Sequence, residues 1–570
     1  MKNLLVAGVF ILLDCLCVNA QEFEDADTVI TDLDEIVVSG NRWEQNLREV
    51  PNKVVKVNST LVQFQNPQTA ADLLGVSGSV FIQKSQMGGG SPMIRGFATN
   101  RVLLVVDGIR MNNAIFRSGN VQNVISLDPL AIQEAEVIFG PGSVIYGSDA
   151  IGGVMDFHTL KPVFSANNKT SFFANALTRY STANKEKTAH VDFNIGLKKW
   201  SFLTSVSRSI YEDLRMGSNG PGEYTRPNYV VRQNGNDEIV INDDANVQVQ
   251  TGYDQWNGMQ KIGYRSGEWL TAAYALHYSK TSDYPRYDRL ILEEDGQLAN
   301  AEWYYGPQKW IMHSLSFMYT KPSVLFDQSK LLFGYQQYEE SRHNRGFGAS
   351  RRTNRTENVN AFSVNLDLDK KISDVLTFFY GAEFITNEVK SEAFRQNINS
   401  GEVTTTSTRY PDGSDWRSTA AYLSLKIKPG DQWVINLSNR FTSVYTHAKY
   451  DRTFFDFPFD EASLNNKSLN GSLGMIFSPT ALLKLYANLS SAFRAPNVDD
   501  IGKVFDSEPG QVVVPNPDLE AERAYSVELG FASILGEKFK MDVAGYYTTV
   551  DNAIARGAAT FNGQDSIAYD

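Results

Sequence analysis

The residues with most scope for chemistry lie in one stretch, "EVIFGPGSVIYGSDAIGGVMDFHT", Glu136 to Thr159, where five glycines follow an apolar run. A strand running into a Gly-rich turn can cradle a phosphate on its backbone N–H groups. The spacing here argues against that use. Gly140-Pro141-Gly142 opens like a dinucleotide loop, but Ile145 stands where the third glycine belongs. Gly142 and Gly147 have phosphate-loop spacing, yet Ser148 and Asp149 occupy the places of Lys and Ser/Thr. The glycines are therefore expected to serve the backbone, through positive φ in tight turns and close approach of strands. His158 closes the stretch at a structural position, and His343 and His447 fall near strand–loop junctions facing outside; each reads as an ordinary polar residue. The acidic segment "NDEIVINDDAN", 236–246, offers oxygen ligands of the kind calcium takes but lacks the spacing of a known site, so a solvated loop is expected. No Ser/His/Asp grouping has a recognisable spacing.

The elements that position these residues come in three textures. "MKNLLVAGVFILLDCLCVNA" has Lys2, an apolar run and small residues before Gln21, the pattern of a removed secretory signal. Both cysteines, Cys15 and Cys17, lie inside it, so the mature chain is expected to have no disulfide and no thiolate metal site. Residues 21–35 are acidic and without core-forming periodicity, which predicts a mobile tail. An α+β region follows, with a strand at "RVLLVVDGI" and a helix at "TAADLLGV". No later apolar run is long enough for a membrane-crossing helix, and the net charge of −12 argues against a nucleic-acid partner.

From about Thr170 the pattern is long alternating strands. In "STAAYLSLKIKPGDQWVINLSNR", Thr419, Ala421, Leu423, Leu425 and Ile427 share one face, while Ser418, Tyr422, Ser424 and Lys426 share the other. The same grammar recurs around short turns near 198, 267, 325, 371, 430, 479 and 536, alternating with long polar loops at 213–255, 280–307, 392–416 and 495–521. Short turns on one side and long loops on the other describe an outer-membrane β-barrel, because lipid leaves backbone groups unsatisfied unless strands pair throughout. Aromatic content of 12% fits interface girdles. The seven turns join fourteen strands and the strand near 170–181 makes about fifteen. An odd count prevents ordinary antiparallel closure, so the chain is expected to be the front part of a longer protein.

The opening stretch closely resembles the end of the plug domain of TonB-dependent outer-membrane receptors. "PMIRGF", with Arg95 and Gly96, and "VLLVVDGIRM", with Asp107 and Gly108, resemble two further plug signatures in the expected order, and "DEIVVSGNR", 34–42, is similar to the family's TonB box. The plug-motif glycines are then Gly96, Gly108, Gly140, Gly142, Gly147, Gly152 and Gly153. The resemblance implies a 22-stranded transmembrane antiparallel β-barrel with an N-terminal α+β plug inside its lumen. The domains read as a signal peptide at 1–20, a tail with TonB box at 21–40, a plug at 41–162 and a barrel at 163–570. It implies an outer-membrane importer, with the periplasmic domain of TonB as partner at Glu35, Ile36, Val37, Val38 and Ser39 by β-strand addition, and outer-membrane lipid around the wall.

Arg95 resembles the plug arginine that faces barrel carboxylates in relatives. Glu528 alternates against Val527 and Leu529, so it points into the lumen, and Arg494 of "FRAP" does the same beside Phe493. A buried charge needs an opposite charge, so a latch of Arg95 and Glu528, with Arg494, is expected. Phe139 stands where some relatives have a second plug arginine, which argues against a four-member cluster. For cargo, the resemblance implies an extracellular iron complex, siderophore or haem, free or on a haem-carrying protein. "FRAP" and "NPDL" (516–519) flank one loop as in haem receptors, but the interval holds no histidine, and ligation of haem by tyrosine stays open. Cobalamin or another nutrient is the transport alternative, and an outer-membrane barrel enzyme the non-transport one. No catalytic residue, resident cofactor or metal ligand is assigned.

Overall fold

The computed structural model describes residues 36–37, 42–84, 87–117, 123–503, 506–508, 511–535, 539–561 and 564–569. The expected signal peptide and acidic tail lie outside the described residues, as do Glu35, Val38 and Ser39.

Beyond residue 170 the chain builds one antiparallel sheet of eighteen strands, running from Ser171–Ser181 to Phe539–Asp551. Fifteen of these are 11–22 residues long and correspond to the alternating strands expected from sequence. The other three, Tyr284–Pro285, Asn300–Tyr305 and Val403–Thr405, are short pieces in the long-loop connections, where polar loops fold back onto tall strands. Those tall strands, among them Arg351–Lys371 and Leu376–Asn397, have 21 and 22 residues. A strand needs only about 9–11 residues to cross a bilayer, so their ends stand well outside it on the long-loop side. The alternation behaves as a lipid and lumen division: Leu423 and Leu437 are exposed on the outer face, while Tyr422, Ser424 and Ser438 are buried inside. Among the described residues the first and last strands of the sheet are its edges.

The wall is wrapped rather than flat, because the N-terminal region touches it all the way round. Gln68 meets Glu186, Asp128 meets Ser207, Asp107 meets Lys261, Arg117 meets Glu340, Ala114 meets Asn387, Glu49 meets Lys426, Val50 meets Lys484 and Arg95 meets Glu528. Only a sheet curved about that region can supply partners from its first strands to its last.

The enclosed plug is a mixed five-stranded sheet in the order Val54–Asn58, Ile132–Phe139, Gly153–Thr159, Val102–Val106, Ile109–Arg110. The predicted helix forms at Ala70–Gly75, opened by a capping box in which Thr69 and Asp72 bond each other's backbone. Its Leu73 and Leu74 pack on one sheet face with Leu104, Val106, Val137, Met155 and Phe157. The glycine stretch serves this packing. Gly140 has φ +84°, and a Cβ on Gly152 would lie 2.3 Å from that of Phe97. No side chain fits the second position without displacing the strand beside it.

Candidate functional site

The plug meets the wall through buried ion pairs, and these form the candidate machinery. Arg95 Nη1 lies 2.5 Å from Glu528 Oε2, both side chains under one-tenth exposed. The guanidinium also stacks 4.0 Å from the Tyr546 ring centre and 5.5 Å from that of Phe139, so the residue in place of a second arginine still faces the same charge. Gly140 sits against this pair, where an added Cβ would come within 3.3 Å of Arg95 Nη1.

Arg494 is inward and buried, as expected, but it belongs to a different cluster. It pairs with Asp500 and lies 3.6 Å from Glu522, and Glu522 also takes a two-pronged bond from Arg101 of the plug. The reason is local. The strand ends at Arg494, and the turn of helix at Val498–Gly502, capped by Asn497 and Asp500, folds a carboxylate back onto it. Ladder register sets Arg494 opposite Glu522 and Asn488 opposite Glu528, so the two clusters are six residues, roughly 20 Å, apart along the wall.

The remaining seam was not legible beforehand. Asp107 has φ +49° and staples three elements: its carboxylate accepts from the Thr159 N–H at 2.9 Å, the Thr159 hydroxyl at 2.6 Å and Lys261 Nζ at 2.8 Å. Burial alone would push the Asp107 carboxyl up, but Lys261 and His277 beside it hold it well below the ordinary carboxylate range.

At the short-turn end, Ile36 and Val37 pair antiparallel with Asn46 and Gln45, and Val37 is fully buried against Val54, Leu103 and Ile138. Five residues on, Arg42 donates to Glu383 at 2.6 Å and lies 3.5 Å from Asp367, both on the wall, with Arg440 on the other oxygen of Glu383. Beside Arg42 opens a cavity of about 710 Å³ between plug and wall, lined also by Asp107, His158, Lys261, Lys330 and Asp369. Arg42→Ala should leave Asp367 and Glu383 with one guanidinium fewer and free the first plug residues, so amide exchange at 42–46 should accelerate while the central strand Val102–Val106 keeps its protection. Unchanged exchange at 42–46 would remove Arg42 from the hold on this segment.

At the long-loop end sits a cluster of arginines packed around one tyrosine. Arg117 of the plug, Arg286 and Arg342 stand 5.8, 5.9 and 5.3 Å from the Tyr305 ring centre, and Arg286 Nη1 donates to the Tyr305 hydroxyl at 3.0 Å. Glu340 accepts from Arg117 at 2.8 Å and from Arg409 at 2.7 Å. Burial alone would raise the Tyr305 phenol, but Arg342, Arg286, Arg117 and Arg409 bring it down to about 7. The arginines thus bring the titration of this phenol down to the neutral range. Nothing in the local sequence marks the cluster, since its members come from loops and strands up to 292 positions apart.

The other sequence candidates fall outside these clusters. His343 stacks on Tyr304 and bonds Asn354. His447 lies between Asp415 and Glu461 near the outer rim. In the acidic segment Asp237 pairs with Arg345 and Arg232, and Asp244 with Arg215, so arginines take the places calcium would have.

Comparison with known proteins agrees with this architecture. Residues 46–154 match the TonB-dependent receptor plug domain, and residues 232–567, more than half of the chain, match the TonB-dependent receptor-like β-barrel. The vitamin B12 transporter BtuB of Vibrio vulnificus (strain CMCP6) is 25% identical over 573 residues, covering 97% of this chain and 75% of its own. The heme/hemopexin utilization protein C of Haemophilus influenzae (strain 86-028NP) is 23% identical over 573 residues, covering 92% and 73%. Among solved structures the copper transporter OprC superposes with a TM-score of 0.70 at 14% identity, over 90% of this chain and 74% of that one, which speaks to the fold. A wall of alternating strands, a plug held inside it by ion pairs, and matches to both family domains place this chain among the TonB-dependent receptors of the outer membrane.

Proposed function

We propose that this receptor imports an anionic iron complex, a siderophore or haem, into the periplasm through energy-coupled movement of the plug. The outer membrane offers no ATP, so the work must arrive through a partner. Residues 35–39 are the segment proposed to pass to the periplasmic domain of TonB by strand addition. The observation that carries the cargo reading is the arginine cluster around Tyr305 at the outer end of the plug. Guanidinium groups in a dry site pair strongly with the carboxylates and catecholates of ferric siderophores and with haem propionates. The haem/hemopexin relative supports the same reading. Cobalamin is the second reading, favoured by the likeness to BtuB over nearly the whole chain.

Growth under iron limitation separates the two. A strain dependent on this receptor should be rescued by haem or by one of a panel of ferric siderophores, and Arg286→Ala should raise the concentration required by about tenfold or more. Rescue of cobalamin-dependent growth alone would contradict the proposal. The cluster also predicts a pH dependence. Tyr305 gains negative charge as pH rises through about 7, so binding of an anionic cargo should weaken across that window and the weakening should vanish in Tyr305→Phe. A tyrosinate difference spectrum checks the origin, since an unperturbed tyrosine titrates near 10.

A further inference from the structure

The second face of the plug sheet changes character along its length. Toward one end it presents Val54, Leu103, Ile138 and Val154, and toward the other Lys56, Glu134, Glu136, Asp156 and His158. Register explains the cluster: His158 lies directly opposite Glu134, and Asp156 opposite Glu136, so all four side chains emerge on one face of two paired strands. Glu136 is fully buried, Asp156 is 3% exposed and His158 is 7% exposed. One ligand atom from each of Glu134, Glu136 and His158 falls within 4.8 Å of the others.

What sets this group apart from a solvated acidic patch is that two of its buried atoms have no hydrogen-bond partner: Nε2 of His158 and Oδ1 of Asp156. The imidazole nitrogen points among carboxylates, 4.0 Å from Glu136 Oε1 and 3.8 Å from Asp156 Oδ2. These distances are too long for hydrogen bonds and suit a cation placed between the groups. A tetrahedral zinc ion bound at about 2.0–2.1 Å needs ligand atoms about 3.3 Å apart, so His158 has less than about 1 Å to close on Glu136 and Asp156, and the group with Glu134 at most about 1.5 Å. Asp156 and His158 also line the 710 Å³ cavity, which gives an ion a way in. Lys56 Nζ, 2.9 Å from Glu134, occupies part of the cation's place.

We propose that Glu134, Glu136 and His158, with Asp156 beside them, form a divalent transition-metal site on the cavity-facing side of the plug. An imidazole nitrogen among carboxylate oxygens selects zinc and its neighbours in the first transition row over calcium or magnesium, which take oxygen alone. The ligands stand on paired strands rather than loops, so their spacing is held by the ladder. Binding would clamp Ile132–Phe139 to Gly153–Thr159 where the cavity opens.

The test uses the full chain purified in detergent without a histidine tag, stripped with chelator, and titrated with zinc chloride by calorimetry and with cobalt chloride by visible absorption. One saturable equivalent is expected, weakened at least about tenfold in His158→Gln and Glu136→Gln and unchanged in His447→Ala. The cobalt band should disappear in His158→Gln. Heat-modifiable gel mobility reports whether each variant is folded; if His158→Gln is not, Glu134→Gln, at the rim of the cluster, carries the same expectation. Absence of saturable binding, or equal affinity in folded His158→Gln or Glu134→Gln, overturns the site. Uptake is not read, so the result stands apart from the cargo proposal.

Discussion

Glu528→Ala should loosen the plug within the wall, at a cost of about 3–5 kcal/mol to its local stability. The variant leaves the Arg95 guanidinium, whose side chain is 8% exposed, without its carboxylate and against the Phe139 and Tyr546 rings. A buried charge stripped of its partner loses far more than the pair contributes as a unit, because the penalty for taking it out of water remains. Glu528→Gln keeps an acceptor and should lose less. Arg95→Met combined with Glu528→Leu removes both charges and should recover much of the loss. Amide exchange in Ile132–Phe139 and Gly153–Thr159, the strands flanking Gly140, is the readout. Equal protection in Glu528→Ala and the parent chain would show that the contact holds nothing.

Val37→Pro should abolish uptake while leaving cargo binding at the outer end intact. Val37 pairs with Gln45 and is sealed against Val54 and Leu103, so it is the inner end of the segment through which we propose that a pull enters the plug. Proline removes the N–H that either ladder needs, the present one with Gln45 or a new one with a partner's sheet edge. The arginine cluster lies at the opposite end of the plug, so affinity measured on intact cells should be unchanged. Uptake at the parental rate would show that force enters elsewhere.

The wall and the direction of its side chains were legible because lipid enforces a period of two on every crossing strand. That period alone aimed Glu528 inward. The motif around Arg95 placed its partner on the plug, and the two meet. Arg494 was aimed correctly but given the wrong neighbour, because its partner is set by the turn at Asn497–Asp500 and no strand periodicity reports on a turn. The N-terminal segment shows the same limit. "EIVVS" reads first as a tail offered to a partner and second as a first plug strand, and Val37 lies in the plug core here. Arg42 with Glu383 and Asp107 with Lys261 join residues 341 and 154 positions apart, and the cage around Tyr305 draws on plug and wall together, so only the curved wall brings them together. His158 reads from the sequence as a structural residue, and its place opposite Glu134 is a matter of cross-strand register, on which local sequence is silent.

The central claim is that a plug inside the wall must move for cargo to pass, and a reversible tether tests it most directly. Ser148 of the plug accepts from the Ala495 N–H of the wall at 3.0 Å, and the chain's two cysteines, Cys15 and Cys17, are far from both in sequence. Ser148→Cys with Ala495→Cys should form a disulfide on oxidation, reduce cargo uptake to background, and recover it on reduction. A disulfide that fails to form, or a tethered receptor that imports at the parental rate, would contradict the account.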